Sequence, residues 1–206
     1  MDAILLVGPT GSGKTPLGDW LQTHGLGGRA CRHFDFGAHL RAGTGLTAAE
    51  QEFVRRVLAT GALLENETFY IAEKILRAFM AGHEGEWLVL NGLPRHVGQA
   101  IALERLVNIV AVVQLQADAA TIRERLRRNS GGDRAGRVDD DLALVERKLA
   151  TFARRTLPLV EHYRRRGVPV LPVTVGVATS PKEMVDDTGL EPVASSMSRK
   201  RSSQLS

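Results

Sequence analysis

Short continuous apolar runs alternate along the chain with longer stretches whose apolar positions recur at helical spacing. The first run covers residues 3–7 and is closed by a glycine-rich turn; Leu17, Trp20 and Leu21 then carry the three-and-four spacing of a helix over 15–24. Runs at 87–90, 107–115 and 168–175 also read as strands, the second dense in the β-branched residues that buried strands favour. The shorter run 32–36 is a further candidate strand. Between these, the pattern predicts helices at 48–59, 67–81, 99–106, 118–128 and 140–166. Strand and helix in repeated alternation predict an α/β fold of three layers, a central parallel sheet with helices on both faces. Residues 188–206 have no apolar period and hold six serines in their last twelve positions. Such a segment buries too little surface to offset the entropy of ordering it, so a body over 1–187 and a disordered tail are expected.

At 206 residues the chain suits one catalytic domain. Hydrophobic residues make up 43% and charged residues 24%, near soluble averages, and no apolar run approaches the roughly 20 residues that span a bilayer. The start carries the acidic Asp2 and no basic lead, so no signal peptide and a cytoplasmic location are expected. Cys31 is the single cysteine, which excludes an internal disulfide and a cysteine-rich zinc site; it reads as a half-buried loop thiol. The net charge is +4, of which Arg199, Lys200 and Arg201 against Glu191 place +2 in the last nineteen residues. No basic face remains that calls for nucleic acid, and the basic tail reads as a solvated terminus. The six histidines show no metal-ligand spacing.

The strongest chemical signal is Gly8-x-x-x-x-Gly13-Lys14-Thr15 between the first strand and the first helix. Small residues there, Gly11 and Ser12 included, let successive backbone N–H groups turn inward on phosphates, with a helix N-terminus behind them. Lys14 then reaches the β- and γ-phosphates of a nucleoside triphosphate, ATP first, and the Thr15 hydroxyl suits Mg²⁺. Pro16 is tolerated because an early helical position needs no N–H. A P-loop alone does not name the acceptor, since many unrelated activities share it.

Farther on, residues 91–99 read Asn-Gly-Leu-Pro-Arg-His-Val-Gly-Gln. Asn91 and Gly92 end a buried strand, where parallel sheets place ligands; Arg95 offers a planar fork for phosphate, and Gln99 a donor-acceptor pair for a base edge. In order with the P-loop, three segments make the chain resemble the adenylate kinase and nucleoside monophosphate kinase family over about residues 3–184. Residues 33–41 are similar to the stretch that opens the family's monophosphate-binding insertion, here about 34–63, which implies that Gly37 and Arg41 meet the acceptor and that Arg41 holds its α-phosphate. Residues 61–64 resemble the glycine-led turn whose backbone, through Leu64, lies along the acceptor base. The Gly92-Leu93-Pro94-Arg95 segment, with Gln99 after it, is the best acceptor-side match.

The resemblance continues into a short lid at about 127–138. Arg125 and Arg128 share one face of the helix leading to it, and Arg125 matches the arginine lying against the donor base. Arg137, in Gly136-Arg137-Val138-Asp139-Asp140, matches the arginine directed at the transferring phosphate. The segment 129–135 resembles the short-lid branch, which includes uridylate-cytidylate kinases. Thr156-Leu157-Pro158 is similar to a segment near the family's last helix, and Gly176 implies a backbone contact with the donor adenine. The implied partners are a nucleoside triphosphate with Mg²⁺ and a nucleoside monophosphate, AMP first, bound by a monomer with no nucleic-acid or membrane partner.

Several positions depart from the family pattern. Phe36 replaces a threonine, Ala38 an aspartate, Asn91 an acid and Asn129 an arginine, while Lys148 stands for the final catalytic arginine with Arg147 beside it. Thr15 and Asn91 are the expected metal-side residues, Asn91 orienting a water without a charge of its own. Lys14, Arg95, Arg125, Arg137 and Lys148 form the expected catalytic set. Two other readings stay open at this point: a P-loop kinase of a small non-nucleotide metabolite, and a nucleotide-binding regulator whose charge clamp has decayed.

Overall fold

The computed structural model describes residues 1–133 and 142–195. Five strands, β1 (Asp2–Val7), β2 (Cys31–Asp35), β3 (Trp87–Asn91), β4 (Asn108–Gln116) and β5 (Val170–Thr174), form one parallel sheet in the order β2-β3-β1-β4-β5. This is the three-layer α/β arrangement that the alternating pattern predicts. Helices α1 (Lys14–His24), α2 (Phe36–Ala42), α3 (Ala48–Thr60), α4 (Phe69–Met80), α5 (Val97–Leu103), α6 (Ala119–Arg128), α7 (Leu142–Thr151), α8 (Pro158–Arg165) and α9 (Pro181–Thr188) lie between and after the strands. Among the described residues, no helix is long and apolar enough to cross a membrane.

The period of two in each strand sorts the core into two layers. Ala3, Leu5 and Val7 of β1 face a cluster with Phe34, Phe69, Leu76, Leu90 and Leu159, while Ile4 and Leu6 face Leu17, Leu21, Trp87, Val113 and Met184. Helices cover both faces of the sheet, so β1, β3, β4 and β5 read as near-continuous apolar runs, while the edge strand β2 carries Arg32, His33 and Asp35 among its five residues.

Four expectations need correction. The helix expected over 140–166 is broken: after α7, residues Phe152–Thr156 form a π-helical turn, in which the Leu157 N–H donates to the Phe152 carbonyl at 2.8 Å, and α8 starts at Pro158. Proline lacks an N–H and its ring collides with the carbonyl four residues back, so the apolar period survives Pro158 while the hydrogen-bond ladder does not. The short helices α2 and α9 are additions. The chain also continues in helical form over 190–195, where Leu190 and Ala194 are buried against the α1 side of the core, so the structured body runs past residue 187. Finally, Cys31 opens β2 and is buried, and burial pushes its thiol up to about 12.

Candidate active site

The strand register builds the site. Leu6 of β1 and Asp35 of β2 both stand opposite Asn91 of β3, so the carboxyl ends of three neighbouring strands open side by side. Ligands of parallel sheets bind outside such ends. A cleft of about 830 Å³ lies there, lined by the P-loop, by Gly37 and Arg41 of α2, by the turn at Gly61 and Leu64, by Gly92, Arg95 and Gln99, and by Arg125 and Lys148.

The P-loop takes the shape its sequence prescribes. Gly13 caps α1 with φ +94°, and Gly11 has φ +77°, both in the region that glycine enters without strain. At Gly8 the requirement is space, since a Cβ would come within 2.6 Å of the Ser12 hydroxyl and 3.1 Å of the Leu115 carbonyl. Ser12 is fully buried, and its hydroxyl has no hydrogen-bond partner among the described residues. Lys14 Nζ donates to the Gly8 and Pro9 carbonyls, each at 2.8 Å, and so lies across its own loop.

Arg125 is 4% exposed and ties the donor side together. Its Nε donates to the Gly11 carbonyl at 3.1 Å, and its Nη1 reaches the carbonyls of Gly176 at 2.7 Å, Val177 at 3.2 Å and Thr179 at 3.3 Å. Burial lowers its pKa and Asp133 works against that shift. The arginine expected beside the donor base therefore also fastens the P-loop to the turn after β5.

On the acceptor side, Gln99 bridges two segments: its Oε1 accepts from the Arg95 N–H at 2.7 Å and its Nε2 donates to the Leu64 carbonyl at 2.7 Å. His96 Nε2 lies 3.2 Å from the same carbonyl. Gln99 is buried and engaged with backbone, and it lines the cleft. Arg95 is half-buried, and its guanidinium makes no hydrogen bond among the described residues; burial lowers its pKa, partly offset by Asp35. Thr156 Oγ1 donates to the Arg95 carbonyl at 2.8 Å, so the π-helical turn fixes the segment from its other side. Gly37 leaves room for the Arg41 side chain, since a Cβ there would lie 3.3 Å from Arg41 Nη1.

Arg137, with Val138, Asp139 and Asp140, lies outside the described residues. Arg127 and Arg128 both pair with Glu124 on the exposed face of α6, and Arg147 is exposed outside the cleft. Neither Arg128 nor Arg147 lines the cleft. Asn129 has a structural reason to be there: it ends α6 at φ 49°, a left-handed position that asparagine tolerates and arginine does not favour. Sequence reasoning missed Asp35, Arg55 and the role of Thr156, all of which line the cleft.

No family model matches the chain. Individual relatives do match over most of its length. It is 34% identical over 171 residues to an adenylate kinase of Synechococcus sp. (strain CC9311), covering 80% of this chain and 86% of that protein. The chain belongs to the adenylate kinase family. An adenylate kinase of Prochlorococcus marinus (strain MIT 9303) is 32% identical over 80% of this chain and 86% of its own. The bovine adenylate kinase isoenzyme 1 is 27% identical over 80% and 82%. Membership of the adenylate kinase family explains why a phosphate loop and an arginine-bearing strand end share one cleft.

The family uses Mg²⁺ with its nucleotide, and the residues here fit that ion. Thr15 Oγ1, the Asp35 carboxylate and the Asn91 side chain meet beside the P-loop as hard oxygen and amide groups. Among the described residues no group of three or more His, Cys, Asp or Glu side chains forms a metal cage. Mg²⁺ needs none, because it keeps several waters and is held by one or two carboxylates together with substrate phosphates.

Proposed function

We propose that the chain transfers the γ-phosphoryl group of Mg-ATP to a nucleoside monophosphate, AMP being the first choice, and releases two diphosphates. One observation carries the reading: a single cleft joins the phosphate loop to Arg41 and Arg95 across the Thr15, Asp35 and Asn91 cluster. Lys14, Arg41, Arg55, Arg95, Arg125 and Lys148 line it against Asp35 and Asp133, a balance suited to polyanions. Leu40, Val57, Leu58 and Leu63 add an apolar wall on the acceptor side, where a base is buried. Phe36, also buried there, replaces a threonine of the family pattern and alters the shape that the base meets.

In this reading Lys14 leaves its own loop's carbonyls for the β- and γ-phosphates, and Thr15 serves the metal side. Arg95 and Arg41 hold the acceptor phosphate in line, with Arg137 and Lys148 completing the charge clamp; Gly8, Gly11, Ser12 and Gly13 cradle the donor phosphates, and Gly176 flanks the donor base. Thr15 and the neighbouring Asp35 would hold Mg²⁺, which would supply neutralisation of phosphate charge. No covalent intermediate is required, because such transfers run on positioning and electrostatics. The residues around 127–138 act as a short lid that excludes water, and 34–63 as the acceptor-binding insertion.

In this reading the chain works as a monomer; its large exposed apolar side chains among the described residues are Tyr70, Ile101 and Leu157. The decayed-clamp reading loses part of its motive, since Asn129 has a capping role and a carboxylate stands beside Asn91. The test is a coupled assay of purified protein with Mg-ATP and each of AMP, CMP, UMP, dTMP and GMP. Diphosphate from at least one, AMP fastest, is expected; none from any of them overturns the proposal.

A further inference from the structure

The strand next to β1 that ends beside a P-loop commonly supplies an acid for the metal. Here that strand is β3, and its last residue, Asn91, is neutral. The carboxylate stands one strand farther out. Asp35 ends β2 in register with Asn91, and its Oδ2 accepts from the Thr15 hydroxyl at 2.7 Å and from Asn91 Nδ2 at 3.0 Å. Asn91 Nδ2 also lies 3.0 Å from Thr15 Oγ1, which closes a triangle.

Asp35 also caps α2, its Oδ1 accepting from the Ala38 N–H at 2.9 Å. Capping alone does not explain the residue. It uses one oxygen, and Asn, Ser or Thr serve as well. The second oxygen accepts the hydrogen bond of the P-loop threonine, so that of the two Thr15 lone pairs one accepts from Asn91 Nδ2 and the other is left for a cation. Behind the triangle, Asn91 is held by the buried His33, whose Nε2 is 3.5 Å from Asn91 Nδ2 and whose Nδ1 is 2.8 Å from Asp19 Oδ1. Gly18 makes room for that ring, since a Cβ there would lie 2.3 Å from it. Asn91 is thus engaged as a donor to Asp35, which changes its role from orienting metal-bound water to orienting the carboxylate.

We propose that Asp35 is the carboxylate that fixes the Mg²⁺ of the bound nucleotide, acting with Thr15 and positioned by Asn91. The proposal rests on the reading of the cleft as a Mg-nucleotide site. Asp35 and Asp133 are the acids that line the cleft among the described residues, and Thr15 is bonded to the first. Asp35 therefore supplies the negative charge that Asn91 lacks.

The test uses Mn²⁺ as a spin probe. Free Mn²⁺ is followed by electron paramagnetic resonance as it is titrated into the full chain with the β,γ-imido analogue of ATP, and nucleotide binding is measured separately in EDTA. Asp35→Asn keeps the α2 cap and the side-chain shape. It is expected to weaken Mn²⁺ binding in the ternary complex about 10- to 100-fold. In EDTA its nucleotide affinity stays unchanged or rises, because a negative charge beside the phosphates is gone. Adding Asn91→Asp to Asp35→Asn is expected to restore most of the lost Mn²⁺ affinity. Mn²⁺ held as tightly by Asp35→Asn as by the wild type would overturn the proposal. So would an equal loss of nucleotide affinity in EDTA, which would make Asp35 a shaper of the loop. Wild-type protein that binds no nucleotide with or without metal would instead overturn the underlying reading of the cleft.

Discussion

Replacing Arg125 by methionine separates a structural latch from a ligand contact. In the folded chain the guanidinium joins the Gly11 carbonyl of the P-loop to the Gly176, Val177 and Thr179 carbonyls after β5. Nη1 has two hydrogens for three acceptors, so about three effective bonds are lost with the side chain. Hydrogen bonds to charged groups contribute about 1.5–3 kcal/mol each, but the cleft lets water reach the freed carbonyls, which brings the expected loss to about 3 kcal/mol. For a chain of this length each kcal/mol moves Tm by about 2–4 °C, so a fall of about 6–12 °C is expected by circular dichroism. The KM for ATP should rise in the same variant, because the P-loop and the donor-side turn are no longer fastened together. Arg125→Lys keeps the charge but lacks the planar fork and should recover less than half of the loss. A residue that only touched the ATP base would change KM and leave Tm alone; that result, or a Tm drop below about 2 °C, would refute the latch.

Thr156→Val removes the donor to the Arg95 carbonyl at constant shape; a loss of about 1–2 kcal/mol is expected in urea unfolding, with KM rising for the monophosphate more than for ATP. Gly18→Ala adds a methyl group against the His33 ring, so an overpacking cost of about 1–3 kcal/mol should exceed the roughly 0.5–1 kcal/mol that alanine gains in a helix, and Tm should fall. Burial raises the Cys31 pKa from 9.0 to about 12, so the folded state holds its proton where the unfolded state releases it. That contribution to stability is fully present below pH 9 and is lost as pH rises toward 12; native protein at pH 8 should react with Ellman's reagent far more slowly than urea-unfolded protein.

The edge strand β2, with Arg32, His33 and Asp35, gave only a short candidate run, whereas the inner strands β1, β3 and β4 were legible because burial on both faces writes an apolar run, and the P-loop because strand, glycine turn and helix occur in fixed order. The helix α2 was not, since its seven residues bury only Phe36 and Leu40 and give no period to count. Its sister α9 did carry a signal: Ser180 and Glu183 form a capping box around Pro181, a pattern that marks a helix start. The single helix read over 140–166 failed at Pro158, where apolar spacing continues across a break in hydrogen bonding. At the site, Lys14, Thr15 and Arg95 follow from local motifs, and all three line the cleft. Asp35 could not be read that way. Its relation to Thr15 and Asn91 depends on β2 pairing with β3 in one register, and a shift by one residue would turn its side chain to the other face of the sheet.

Direct transfer requires that one cleft bring a triphosphate and a monophosphate end to end. The most direct measurement follows the label from ATP carrying ³²P in its γ-phosphate, incubated with the wild-type protein, Mg²⁺ and AMP. Label is expected in the β-position of ADP, formed in equal amount with unlabelled ADP from the donor, with little free phosphate. Label released as inorganic phosphate, with none in ADP or in the diphosphates of CMP, UMP, dTMP or GMP tested in the same way, would contradict direct transfer.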